Sequence, residues 1–216
     1  MKKNLKTTII TLIVIVFSVA SKAQDAKYLT AMKSGLQAFK DAKIGADYVA
    51  ASNQFERIGG IAKTEWLPYY YAAYSQLINN TTLQDPNEKD AVLDKALELV
   101  GKAETLKPAE GEILALKGYI SFMKIYVNPM ARMQNGMGEA MGYLEKAKAL
   151  NPENPRPYFV IAQNTFYTPE AFGGGKDAAK PELTAAAKKF EAFKPINGMM
   201  PDWGKERNAM LLAECK

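Results

Sequence analysis

The sequence predicts an all-α protein: about four antiparallel helix pairs stacked into a superhelical solenoid and closed by a C-terminal capping helix. Three observations predict it. Apolar residues recur about every 3.6 positions, and strand-like alternation is nearly absent. An Ala-led pattern (Ala, three residues, apolar, two residues, Ala or apolar) recurs as Ala51-Phe55-Ile58, Ala96-Val100-Ala103 and Ala140-Leu144-Ala147. A weaker copy, Leu183-Ala187-Phe190, follows, so the leading residues are 45, 44 and 43 apart. A second column places a bulky residue four before a small one: Tyr69 and Ala73, Leu114 and Gly118, Tyr158 and Ala162. Its spacings are 45 and 44, and two columns sharing one period point to a repeated unit.

Each element follows from that frame. The first pair is expected at 25–42 and 46–58, the second at 66–78 and 88–106. The third falls at 110–126 and 136–150, the fourth at 155–167 and 177–193. Small residues on the first helix of a pair let the second approach, and bulky residues fill the space around the contact. Pro108, Pro152 and Pro195 stop the second helices, because proline cannot continue the hydrogen-bond ladder. One pair cannot bury both its apolar faces, so the pairs stack. Pro201-Asp202 is expected to start a capping helix running to Glu214, which shields the last face.

These residues resemble the tetratricopeptide repeat family. The best stretch runs from Ala140 through Leu144, Ala147, Leu150 and Pro152 to Tyr158 and Ala162. Ala96, Val100, Ala103, Pro108, Leu114 and Gly118 match nearly as well, and the resemblance covers roughly Tyr28 to Cys215. The period departs from the family's usual ~34 residues. The extra residues are expected as enlarged loops between the two helices of a pair, at Asn79–Asn87, Asn128–Gly136 and Thr168–Lys176, which carry Pro86, Pro129, Pro169 and several glycines.

The amino terminus reads as an export signal. Met1 to Lys6 is basic, Thr7 to Ala20 is mostly apolar, and Ser21-Lys22-Ala23 places small residues three and one before Gln24. Residues 1–23 are therefore expected to be a signal peptide cut after Ala23, and 24–216 one helical-repeat domain, periplasmic or secreted. The apolar run is short of the ~20 residues a membrane span needs.

Composition excludes several functions. The formal charge is +5, but four lysines lie in the first 23 residues, leaving 24 basic against 23 acidic side chains. A basic nucleic-acid binder is disfavoured. There is no histidine, which removes His-based catalysis and His metal sites. The one cysteine, Cys215, forbids an internal disulfide and is either free or paired between chains. Phe172-Gly173-Gly174-Gly175-Lys176-Asp177 fails as a phosphate loop, since Asp stands where a hydroxyl is required. The acid pairs sit on no hydrolase framework, and Met130, Met133, Met137 and Met141 read as an apolar helical stripe rather than a copper site. No catalytic residue, metal ligand or cofactor is assigned.

The family resemblance implies that the first helix of each pair lines a concave face. Carried onto this chain, Tyr70, Tyr74, Tyr119, Phe122, Phe159, Gln163 and Tyr167 face inward, with Glu112 and Arg156 near the rim. At least one tyrosine of Trp66-Leu67-Pro68-Tyr69-Tyr70-Tyr71 is expected to be exposed, because three adjacent helical residues cannot share a face. Tyr supplies apolar area and a hydroxyl at low entropy cost, which suits a protein or peptide partner in the cell envelope. The alternative is an extracytoplasmic small-molecule or lipid binder resembling accessory proteins of solute transporters. A structural part of an envelope assembly is a third reading.

Overall fold

The computed structural model describes residues 25–215; the expected signal peptide and its cut after Ala23 lie outside them. Nine α-helices and one short 3-10 turn make up the regular structure among the described residues, which contain no strand. Helix α1 spans 25–41. The others are α2 (Gly45–Ile61), α3 (Leu67–Asn80), α4 (Pro86–Leu106), α5 (Gly111–Val127), α6 (Pro129–Leu150), α7 (Pro155–Tyr167), α8 (Lys176–Ala192) and α9 (Lys205–Glu214). The fold is a tetratricopeptide-like stack of helix pairs, with α1/α2, α3/α4, α5/α6 and α7/α8 as the pairs and α9 as the cap.

The repeated columns are where helices meet. Ala73, Ala96, Ala103, Ala140, Ala147 and Ala162 are all fully buried. At Gly118 a Cβ would stand 2.7 Å from Leu144 Cγ and 3.1 Å from the Ala140 carbonyl. Only a residue without a side chain lets α5 and α6 approach that closely. The first helices also touch in sequence, α3 on α5 and α5 on α7, and form the inner face. Apolar side chains fuse into one core around Phe55, Leu93 and Ile120 and a second around Leu144, Phe159 and Leu183.

Several helix starts are set by capping. Asp85 accepts from the Asn87 and Glu88 amides ahead of Pro86, and Asn154 from the Arg156 amide ahead of Pro155. A side-chain acceptor satisfies an orphan N–H, and proline at the first position has none to satisfy.

Four expectations need correction. Asn128–Gly136 is helix rather than loop: Pro129 opens α6, Asn128 accepts from the Ala131 amide, and Arg132 pairs with Asp90 through two bonds of 2.5 and 2.6 Å. The long period therefore comes largely from α4 and α6, of 21 and 22 residues. Of the three expected loops, the first is kept in shortened form at 81–85, and 168–175 remains, with Gly173 and Gly175 at positive φ. None of Tyr69, Tyr70 and Tyr71 is exposed; neighbouring elements cover α3 on more than one side, and Tyr69 is half-buried. The methionine stripe divides: Met137 and Met141 pack on the second core, while Met130 and Met133 are exposed. Finally, the cap starts at Lys205, since Gly204 takes φ +102° and turns the chain into α9.

Cys215 is buried, and its Sγ donates to the Leu211 carbonyl at 3.2 Å. A thiol so placed is not presented to a second chain.

Gly118→Leu is expected to lower stability by about 1–3 kcal/mol through overpacking, measured by urea unfolding. An unchanged midpoint would show that α5 and α6 do not meet there.

Candidate functional site

One stripe from each inner helix converges on a cavity. Helix α3 and its C-terminal cap supply Tyr74, Ile78 and Thr81; α5 supplies Tyr119, Met123 and Tyr126; α7 supplies Phe159, Gln163 and Tyr167. Spacings of three, four and seven or eight put each set on one helical face. The remaining wall is Trp203, Gly204 and Arg207. The cavity holds about 740 Å³, inside the ~300–1,000 Å³ usual for small-molecule sites.

Trp203 organises the aromatic wall. Its ring stacks on Tyr74 at 5.2 Å and 18°, lies 5.8 Å from Tyr119, and meets Phe159 edge-on at 6.4 Å. Its Nε1–H donates to the Tyr70 hydroxyl at 2.7 Å. Offset and edge contacts of this kind are favourable beyond the area they bury. Gly204 follows, and a Cβ there would lie 2.8 Å from Phe190 and 3.2 Å from Phe159.

The polar groups are few and placed. Gln163 donates to the Tyr119 hydroxyl at 3.0 Å, and Tyr126 donates to Asn164 Oδ1 at 2.7 Å. Arg207, exposed at the mouth, donates to the Tyr167 hydroxyl. Burial pushes the Tyr74, Tyr119 and Tyr126 phenols above their ordinary pKa, so all three are neutral at physiological pH. Among the described residues no group of three or more Cys, Asp and Glu side chains is arranged to hold a metal ion.

Of the nine residues expected on the inner face, five line this cavity: Tyr74, Tyr119, Phe159, Gln163 and Tyr167. Tyr70 lies behind Trp203, and Phe122 is buried in the second core. Glu112 and Arg156 are not at the rim: their relative exposures are 3% and 0%. They sit in the first turns of α5 and α7, joined by a 2.6 Å ion pair, beneath the segment linking α8 to α9. That segment, 193–204, crosses the inner face: Tyr71 donates to the Met199 carbonyl at 2.8 Å, and Arg156 to the Pro201 carbonyl. Sequence reasoning missed Ile78, Met123 and Tyr126, which stepping along the stripes from Tyr74 and Tyr119 would have found. It also missed Trp203 and Arg207, for which no local signal exists.

Loss of water pushes the Glu112 carboxyl up to about 7, against the pull of Arg156. The folded protein thus binds a proton that the unfolded chain releases at lower pH. The stabilisation from this group is complete below the ordinary carboxylate range and is lost as pH rises through about 7.

No protein-family model matches the chain, and no curated protein does. Among solved structures, the HusA haemophore from Porphyromonas gingivalis superposes with a TM-score of 0.76 and 32% identity, covering 88% of this chain and 92% of that one. The chain belongs to the HusA haemophore family. A thermophilic TPR protein from Thermus thermophilus aligns over 86% of this chain and 99% of that one, at 17% identity and a TM-score of 0.41. In this HusA-family chain the helix pairs and the aromatic cavity come from different parts of the sequence. The pairs are repeats, whereas Trp203 and Arg207 lie beyond the last one.

Replacing Glu112 with Gln is expected to flatten the dependence of stability on pH between about 5 and 8. Urea midpoints at the two ends of that range measure it, and an equal slope in both proteins would locate the titration elsewhere. Gly204→Ala is expected to cost about 1–3 kcal/mol, from positive φ and the Phe190 contact together, read as a drop in melting temperature.

Proposed function

We propose that the protein is an exported, non-enzymatic carrier of haem or a haem-like porphyrin, held in the aromatic cavity between α3, α5, α7 and the 193–204 segment. The observation that carries this reading is membership of a haemophore's family over nearly the whole described chain. The cavity's chemistry supports it. A flat apolar macrocycle suits walls of Tyr74, Tyr119, Phe159 and Trp203, where ring stacking and burial supply the binding energy. Carboxylate side groups of such a ligand suit Arg207 at the mouth, since guanidinium pairs with carboxylates through two parallel bonds.

With no histidine in the chain, the usual proximal ligand for haem iron is absent. Binding that rests on the macrocycle faces is expected to hold metal-free protoporphyrin about as well as haemin. The N-terminal pattern of residues 1–23 supports carriage outside the cytoplasm. No helix among the described residues is long and apolar enough to cross a membrane.

The peptide partner suggested by the repeats is the competing reading. The chain's own 193–204 segment already lies across the face such a peptide would use, which favours the small ligand.

Titrating the purified protein with haemin should give a saturable Soret change. Trp203→Ala and Tyr119→Ala should each weaken affinity about tenfold, the equivalent of about 1.4 kcal/mol of lost stacking and burial. A protein that leaves the haemin spectrum unchanged, and carries a polypeptide when purified from its own compartment, would overturn the carrier reading.

A further inference from the structure

Arg156 does not line the cavity, yet it grips the segment that closes it. Residues 193–204 form no helix, and 194–198 are exposed, so this strap is held by its ends. One guanidinium meets both. Its carbon lies 5.0 Å from the Phe193 ring at the start of the strap and 5.5 Å from the Trp203 ring near its finish. Nη2 donates to the Pro201 carbonyl, and Nη1 to Glu112 Oε1 at 2.6 Å and to Asn154 Oδ1 at 3.3 Å. We propose that Arg156 is the positioning residue of the cavity: it clamps the strap from behind, and the strap thereby sets Trp203 as the fourth wall. The ligand named here rests on the haem-carrier reading; the clamp itself does not.

Two features separate this role from plain stabilisation. First, a buried ion pair is a poor source of stability, because desolvating both charges offsets their attraction. Here Arg156 Nε and Glu112 Oε2 are buried without a hydrogen-bond partner, which adds cost. Second, the geometry uses what only a guanidinium has: a planar cation that donates in two directions while its faces meet aromatic rings. An apolar pair of equal volume would fill the space but could not bond the Pro201 carbonyl. The other hydrogen bonds between the strap and the inner helices are single ones, from Tyr71 to Met199 and from Trp203 to Tyr70, and the packing of Met199 and Met200 on the first core and of Trp203 on Tyr74, Tyr119 and Phe159 acts toward its finish. None of these reaches both ends.

The chain has two tryptophans, so Trp66→Phe leaves Trp203 as the sole reporter. In that background, Arg156→Met is expected to shift Trp203 emission to the red and raise its quenching by acrylamide. Haemin affinity should fall about tenfold, with the far-ultraviolet helical spectrum kept. Arg156→Lys keeps the charge beside Glu112 and loses the second nitrogen. It should fall between, and it carries the same readouts if Arg156→Met does not fold. A folded variant whose Trp203 stays shielded overturns the clamp. One whose Trp203 becomes accessible while haemin affinity is unchanged overturns the positioning role. A parent protein that binds no haemin defeats the carrier reading instead, and Trp203 accessibility then decides the clamp alone.

Discussion

Close backbone approach at small residues is the constraint on which everything else depends. Ala73, Gly118 and Ala162 hold the place where the first helix of a pair meets the second. A helix–helix contact gains its energy from many short-range dispersion contacts, so a gap of even half an ångström is costly. With those contacts made, α3, α5 and α7 are left side by side, and the stripes they turn inward form one surface. The cavity is a consequence of stacking rather than a separate invention.

A stack of pairs alone would leave that surface as an open groove. The strap changes its character by running over the groove and filling one end with its own side chains. Tyr71, Arg156 and Tyr70 take up its carbonyls and its indole, as a groove would take up a foreign peptide. What remains at the C-terminal ends of the three helices is a bounded pocket sized for a small molecule. That geometry is what the proposed carriage of a compact, aromatic ligand rests on. On the carrier reading proposed above, the rings would supply affinity and the exposed Arg207 guanidinium orientation.

The fold is largely legible in the sequence because its signals are local. Period 3.6, proline stops and two columns of small and bulky residues are each set within a dozen positions, and they place eight of the helices to within a few residues. The stretch 128–136 is the instructive exception. Pro129 and Gly136 look like loop residues, but proline is well placed at a helix's first position, and Asp90, some forty residues away, secures Arg132. The site is half legible. Tyr74, Tyr119, Phe159, Gln163 and Tyr167 follow from knowing which helical face looks inward.

By itself, then, the sequence determined an all-helical stack, the order of its pairs, and the absence of histidine chemistry. Local hydrogen bonding and apolar periodicity are written along the chain, and those properties need nothing else. Only the tertiary structure decided that Glu112 and Arg156 are buried as a pair, that Trp203 is a wall, and that Arg207 stands at the mouth. Trp203 lies more than 120 residues from its stacking partner Tyr74 in the chain. A contact of that span belongs to no local pattern; it exists because the strap between the last pair and the cap crosses the stack.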